Sequence, residues 1–414
     1  MNIIILGFSR PDDPYSSTIW SLAQVWARRQ HRVFFIEPPF TLRDWLGRRH
    51  LPTLQTRKSA LLWGKNPYRS LPDDTLQHLT IVTPRLGLPI NWLPEGRCYK
   101  ALSWINDQWF AQTLKKTLRD FDLKEYIFIN SFHPFLAQKT NKHFSPKVYV
   151  YQCVDNMRQA EYLSRHGARL EKQVAANADL VICTSRTLLA QQKNNNPNTF
   201  LLPNAADVAL FEQARNTPLP LPQELEKQAQ QPIIVYVGNA DAMRMDFELL
   251  QKIATTNTDK TLLLVGPFKD HDLEKSGLKD LPNVVLTGSK PIQQIPAYLQ
   301  HAACAIIPFL SNELTRGIYP LKINEYLAAG LPVVSTCFSP DIADFEQIIY
   351  LSKNHQDFLQ NITRAIAENA PQKQIQRIEI ARNNSWEKRA EQFEEIIKVF
   401  LSNKTKQGTK LSVV

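Results

Sequence analysis

Residues 319–336 read Tyr319-Pro320-Leu321-Lys322-Ile323-Asn324-Glu325-Tyr326-Leu327-Ala328-Ala329-Gly330-Leu331-Pro332-Val333-Val334-Ser335-Thr336, a short helical pattern running into an apolar strand. Pro320 suits the first turn of a helix, where its missing N–H is one of the donors that have no intrahelical partner anyway. Gly330 suits the left-handed residue just past the helix end. Ile323, Tyr326 and Leu327 share one face at helical spacing, which leaves Lys322 and Glu325 together on another. The start of such a helix offers free N–H groups and a positive dipole end to a diphosphate. Lys322 adds a full charge there, and the Glu325 carboxylate can accept from both hydroxyls of a ribose. Standing alone, Lys-x-x-Glu reads more simply as a surface ion pair, worth only ~0.3–0.5 kcal/mol. Its surroundings decide between the two.

Those surroundings are two series of strand-like runs alternating with amphipathic stretches. The first comprises Ile3–Leu6, Val33–Ile36, Ile81–Thr83, Ile127–Asn130, Val148–Tyr151, Leu180–Thr184 and Phe200–Leu202, with helical patterns such as Ser17–Arg29 and Pro94–Arg119 between them. The second comprises Ile233–Val237, Thr261–Val265, Val284–Thr287, Ala305–Pro308, Pro332–Ser335 and Ile348–Leu351. Such alternation predicts doubly wound parallel sheets with helices on both faces. Thr217-Pro218-Leu219-Pro220-Leu221-Pro222 interrupts the pattern and reads as part of a linker. The expected organisation is a first domain over 1–212, a linker over 213–231, a second domain over 232–384, a helix over 385–402 capped by Ser385, and a mobile tail over 403–414. A chain of 414 residues has the length for two domains, and 43% hydrophobic with 21% charged residues is an ordinary globular composition.

Several segments together resemble the GT-B-fold glycosyltransferases of the large family 4 type, in the branch that builds cell-surface polysaccharides. Pro320 to Thr336 is similar to that family's donor-nucleotide motif. Tyr149–Asp155 resembles its strand ending in an acidic residue, and Ala178–Ser185 resembles the strand after it. Pro203-Asn204-Ala205-Ala206-Asp207, followed by Phe211, resembles the "PNGvD…F" segment, and Ile234–Gly238, Leu264–Pro267 and Ser385-Trp386 agree in order. The resemblance implies an α/β GT-B architecture. It has two Rossmann-like doubly wound domains facing a cleft, and a C-terminal helix crosses back to the first domain. It implies an enzyme moving a sugar, with retention of configuration, from a nucleotide-diphosphate donor to a saccharide or lipid-linked acceptor. The family motif carries a second glutamate eight positions before the one at Glu325, and here that position is Gly317. Two alternatives therefore stay open: a catalytically weakened relative acting as a partner or scaffold, and a GT-B sugar-nucleotide epimerase.

Ligands of doubly wound sheets bind outside the carboxyl ends of the strands. Asp155 comes directly after a strand and is a candidate acceptor contact or general base, or else an N-cap of the next helix. His133 in Asn130-Ser131-Phe132-His133-Pro134 can face the transferring sugar, or it can be structural. Gly7, Ser9 and Arg10 begin a loop on the expected acceptor side. This loop is not a G-x-G-x-x-G turn, so no dinucleotide is indicated. In the second domain Gly238 permits close approach of a phosphate, and Arg244 adds charge or simply starts a surface helix. Thr315 and Arg316 precede the Pro320 helix as donor contacts or as a polar loop. Asp270-His271-Asp272 has the D-x-D form of some metal-dependent transferases. It lies in a charged surface stretch and the family resemblance requires no metal, so no metal or other cofactor is expected beyond the nucleotide sugar as substrate.

The net charge of +10 is concentrated: between Thr41 and Ser70, seven cations (Arg43, Arg48, Arg49, Arg57, Lys58, Lys65 and Arg69) face the single anion Asp44. Trp45, Leu46, Leu51, Leu61, Leu62 and Trp63 interleave them, a pattern suited to an anionic membrane surface or to a solvated basic insertion. No nucleic-acid module accompanies the patch. The start of the chain lacks the signal-peptide pattern, no apolar run reaches the ~20 residues of a span, and the five scattered cysteines read as core residues. These features lead to an expected cytoplasmic protein, with the inner face of the plasma membrane as the surface that segment 41–70 can contact.

Overall fold

The structure is a computed structural model that describes residues 1–13, 17–138, 144–157, 163, 165–228 and 230–411. It divides into two compact units, Met1–Pro203 with Arg389–Val414, and Asn204–Lys388. The division falls at Asn204, ahead of the expected boundary, because Val208, Phe211 and Leu225 are buried in the core of the second unit. The proline run and the 3-10 helix Gln223–Gln228, where the linker was expected, therefore lie within that unit.

The first unit is built on an eight-stranded sheet. Its strands are β1 (Asn2–Leu6), β2 (Arg32–Ile36), β3 (Tyr68–Arg69), β4 (Leu79–Val82), β5 (Ile127–Ser131), β6 (Val148–Cys153), β7 (Leu180–Cys183) and β8 (Thr199–Leu201), in the order β3-β4-β2-β1-β5-β6-β7-β8. All neighbours are parallel except β3, which pairs antiparallel with β4 through Tyr68↔Val82 and Arg69↔Ile81. A two-residue edge strand has no alternation to betray it in sequence. The interior strands are buried on both faces, β6 along its whole length, as a helix-covered parallel sheet requires. Ser17 caps the helix Thr18–Arg28 by accepting from the Trp20 N–H.

The second unit has a six-stranded, wholly parallel sheet of β9 (Ile233–Val237), β10 (Thr261–Val265), β11 (Val284–Gly288), β12 (Cys304–Ile307), β13 (Val333–Thr336) and β14 (Tyr350–Ser352). Its order, β11-β10-β9-β12-β13-β14, reverses direction between β9 and β12. Such a reversal opens a crevice at the strand ends.

The last helix, Trp386–Leu411, runs past residue 402, where the tail was expected to begin, and from Arg389 onward it belongs to the first unit. There Phe393 packs edge-on to Trp26 at 5.0 Å, and Glu394 pairs with Arg29 and His31. Ser385 Oγ accepts from the Lys388 N–H, so the expected cap forms.

The basic segment 41–70 is not a loop. It forms the helices Leu42–Arg48, Pro52–Thr56 and Lys58–Trp63, the first closed by a capping box between Thr41 and Asp44. Leu54, Leu61 and Leu86 give it a small core of its own. Arg57 is buried and forks onto Glu37 at 3.1 and 3.3 Å, while Arg69 reaches the same carboxylate at 2.9 Å. Two of the seven cations, Arg57 buried and Arg69 half-buried, therefore tie the segment to the sheet; a fully buried Glu37 requires them. Among the described residues no helix is long and apolar enough to cross a membrane.

Candidate functional site

The helix after Tyr319 spans Leu321–Ala328, with Pro320 as its N-cap (φ −77, ψ 85) and not its first helical residue. Ile323, Tyr326 and Leu327 are buried, and Gly330 takes the left-handed conformation at φ +71. Lys322 and Glu325 are half-buried and, among the described residues, make neither a hydrogen bond nor an ion pair. They are therefore not a surface pair. Burial lowers the Lys322 pKa, partly offset by the Glu325 charge, and raises that of Glu325, partly offset by Lys322. Both charges are held at a cost that a ligand can relieve.

Beneath them lies a floor of two glycines. Gly238 follows β9 at φ +143, and a Cβ built there would meet Lys322 Cε at 2.0 Å. The lysine side chain thus rests directly over a bare backbone. Gly266 follows β10 at φ +138, and its Cβ would meet the Gly238 carbonyl oxygen at 2.1 Å. The Gly238 N–H donates to Val265 O at 2.7 Å, and the Tyr326 hydroxyl accepts from the Val237 N–H at 2.8 Å. The site helix and the strand end are in this way fastened to each other. Arg244 is near enough for its charge to lower the Lys322 pKa further, and its buried Nε has no hydrogen-bond partner. Gly238, Arg244, Lys322 and Glu325 thus come together in the second unit. Tyr326, read from sequence only as a core residue, is the added element, because nothing in its spacing announces a bond to a strand.

Thr315 and Arg316 differ from this group. Thr315 is fully buried in a capping box with Asn312, and its hydroxyl donates to Leu310 O at 2.5 Å. Arg316 is exposed at the end of the four-residue helix Glu313–Arg316, which Gly317 caps. The motif-like Asp270 lies on the helix Asp270–Ser276 and bonds Lys279 at 2.8 Å. No group of three potential metal ligands occurs among the described residues.

In the first unit Asp155 is half-buried two residues beyond β6, and its Oδ1 accepts the Asn156 N–H at 2.8 Å. Gly7 has no room for a side chain, since a Cβ would meet the Phe35 ring at 2.5 Å. Ser9 is half-buried, and Arg10 stacks 3.7 Å over Phe40 while donating to Pro38 O at 3.0 Å. His133 is 5% exposed between Phe8 and Phe135, its Nδ1 unpartnered and its pKa pushed down to about 4 by burial. It is neutral at pH 7. Because its folded pKa lies below the unfolded value of about 6.5, the unfolded chain binds the extra proton between these values, and stability falls as pH drops through that window. The expected loss is about 2 kcal/mol by pH 5. The difference in unfolding free energy between pH 7 and pH 5, from urea titrations, should shrink by that amount in His133→Gln relative to wild type, and an unaltered pH slope would refute the assignment.

Residues 231–368 match the family model described as glycosyl transferases group 1, which covers most of the second unit and the whole glycine floor. This part of the chain is similar to the group 1 glycosyltransferases, and the chain has the GT-B fold. It is 30% identical over 150 residues to a putative teichuronic acid biosynthesis glycosyltransferase, TuaH, of Bacillus subtilis (strain 168). That match spans 34% of this chain and 37% of the relative. Among solved structures, sucrose-phosphate synthase from Thermosynechococcus elongatus superposes with a TM-score of 0.65 at 16% identity, over 97% of this chain and 99% of that one. An Anabaena protein, HepE, solved with UDP and glucose gives 0.60 at 14% identity, over 96% and 99%. The E. coli trehalose-6-phosphate structure bound with UDP-2-fluoro glucose gives 0.67 at 11%, over 97% and 99%. At these identities the structural likeness establishes the fold.

Proposed function

We propose that this glycosyltransferase binds a nucleoside-diphosphate sugar in its second unit and passes the sugar, with retention, to a saccharide or lipid-linked acceptor of surface polysaccharide synthesis. The observation that carries the reading is the half-buried, unpaired Lys322 lying over Gly238 beside the start of its helix. An anion fits there: the diphosphate would neutralise Lys322 and reach Arg244, and the ribose would bond Glu325. Breaking the bond from the anomeric carbon to the diphosphate sends the electron pair to that leaving group, where Lys322 and Arg244 stabilise it. The new bond forms to the acceptor oxygen, whose proton goes to a base for which Asp155 is the candidate. HepE and the E. coli structure were solved with UDP-containing ligands, which supports a uridine nucleotide here. The TuaH likeness supports a surface-polysaccharide product.

A thermal-shift screen of nucleoside diphosphates and their sugars tests the donor half, since a ligand at 100 times its Kd stabilises the native state by ~2.7 kcal/mol. Acceptor-dependent release of the nucleotide tests the transfer. Donor binding without turnover on any lipid-linked or saccharide acceptor would favour the scaffold reading that Gly317 motivates, and an epimerised donor would favour the epimerase.

The proposal includes contact with an anionic membrane, on the cytoplasmic side, through segment 41–70. Arg43, Arg48, Arg49, Lys58 and Lys65 remain exposed there, beside Leu46 at 71% and Trp63 at 70% exposure. With about 1 kcal/mol per cation near such a surface, the triple Arg43/Arg48/Arg49→Ala variant should bind anionic vesicles roughly 100-fold more weakly. Equal co-sedimentation of variant and wild type would remove the membrane from the proposal.

A further inference from the structure

A cavity of about 320 Å³ lies in the second unit, where the chain enters β14 at the amino end of the sheet. Three elements enclose it. The helix His355–Ala367 presents Asn361 and Arg364 at helical spacing, with Glu368 as its C-cap, and the helix Pro371–Arg382 presents Lys373, Gln376 and Arg377 on one face. Glu346 to Tyr350, leading into β14, close the third side. The site helix Leu321–Ala328 separates this cavity from Lys322. Lys322 stands at its start over Gly238, at the carboxyl end of β9, whereas Gly330 lies past its end and leads into β13. Arg377 Nη1 donates to the Gly330 carbonyl oxygen at 3.1 Å, so the cavity adjoins the far end of a helix about 12 Å long.

Arg377 is 1% exposed, and no carboxylate pairs with it among the described residues. Its Nη1 makes both of its side-chain hydrogen bonds, to Gly330 O and to Asn369 Oδ1 at 2.7 Å. Nε is buried without a partner, and Nη2 makes no hydrogen bond among the described residues either. These two nitrogens form the guanidinium edge that receives an oxyanion through two parallel bonds. Holding Gly330 needs only Nη1. Burial lowers the Arg377 pKa, as it does for a cation short of counter-charge. Glu368 does not supply that charge, because it accepts from the Tyr350 hydroxyl at 2.8 Å and from Lys373 at 3.1 Å, with Arg364 at 3.5 Å. The bonds from Tyr350 and Lys373 lower its pKa, so it stays an anion already engaged. Arg364, Lys373 and Arg377 thus face Glu368 and the exposed Glu346, and a positive charge is left over. A carboxylate would spend both its oxygens on the free edge of Arg377, whereas a phosphoryl group keeps a third for Lys373. The cavity has the volume of a small-molecule site, larger than one anion fills. The carboxamides of Gln347 and Gln376 make no hydrogen bond among the described residues and can each give to and accept from a hydroxyl.

We propose that this cavity is a second ligand site, for a small hydroxylated phosphomonoester, with the phosphoryl group on the Nε–Nη2 edge of Arg377 and beside Lys373. The site does not depend on the transferase reading. Calorimetric titration of the full chain with sorbitol 6-phosphate tests it, with sorbitol, inorganic phosphate and gluconate as separate arms. Sorbitol 6-phosphate should bind at least tenfold more tightly than any of the three. Lys373→Glu, a change on the helix surface, should weaken it at least tenfold. Arg377→Lys keeps the charge and removes the fork, and should weaken it as much; should that variant not fold, Lys373→Glu decides alone. Lys322→Ala and an excess of UDP should each leave the affinity within twofold of wild type. The proposal is overturned if Lys373→Glu, with native circular dichroism, keeps wild-type affinity. It is equally overturned if Lys322→Ala or UDP abolishes the binding, which would put the ligand at the Lys322 site. Gluconate or inorganic phosphate binding as tightly as sorbitol 6-phosphate, or no binding in any arm, would overturn it as well.

Discussion

Lys322→Ala should lower turnover by a hundred- to a thousandfold while leaving the unliganded protein at least as stable as wild type. The two effects have one cause. The Lys322 ammonium is held where burial lowers its pKa, so in the free protein its charge opposes folding. In the proposed reaction a departing diphosphate would supply the missing counter-charge, and a preorganised group of this kind contributes about 3–4 kcal/mol to the transition state. Glu325→Gln separates the second half of the site. It keeps the shape and removes a carboxylate whose pKa burial already raises, so stability holds or improves. The lost charge-assisted bonds to ribose, ~1.5–3 kcal/mol, should weaken donor Kd by roughly ten- to a hundredfold with a smaller effect on kcat. Steady-state kinetics and donor titrations on both variants check this. If both retain wild-type donor affinity and turnover in the folded state, the donor site lies elsewhere.

How much of this site is legible in the sequence depends on what encodes each part. Lys322 and Glu325 are fixed by helical spacing and by Gly330, whose left-handed backbone ends the helix where expected. Both sheets are readable as apolar runs, because a strand covered on both faces must be apolar throughout. What sequence alone does not carry is commitment through space. Arg57 and Arg69 look like exposed cations until Glu37, far away in the chain, takes them inward. Thr315 looks available until Asn312 and Leu310 engage its backbone N–H and hydroxyl. Pro320 stands one position earlier than its pattern predicts, since cap and first turn both accept a residue without a free N–H.

Gly266→Ala should destabilise the second unit by about 3–5 kcal/mol, more than the alanine variants of Gly238 or Gly288. The added Cβ would lie 2.1 Å from the Gly238 carbonyl oxygen and 2.7 Å from its carbonyl carbon, backbone atoms fixed at the end of β9 that cannot swing away. A φ of +138 adds strain for any residue with a side chain. Two other glycines calibrate the argument. Gly288→Ala meets nothing within 4 Å at φ +67, so it should cost only the ~1–2 kcal/mol of a left-handed alanine. Gly238→Ala carries a like backbone strain at φ +143 but would collide mainly with the Lys322 side chain, whose end can move, so it should fold better than Gly266→Ala and still lose donor binding. Urea unfolding of the three variants should therefore rank Gly266→Ala as least stable, and donor titration should find Gly238→Ala defective even where it is folded. If Gly266→Ala and Gly288→Ala had equal midpoints, the close approach of the two strand ends would not be what holds the floor of the site, and Lys322 would need another support.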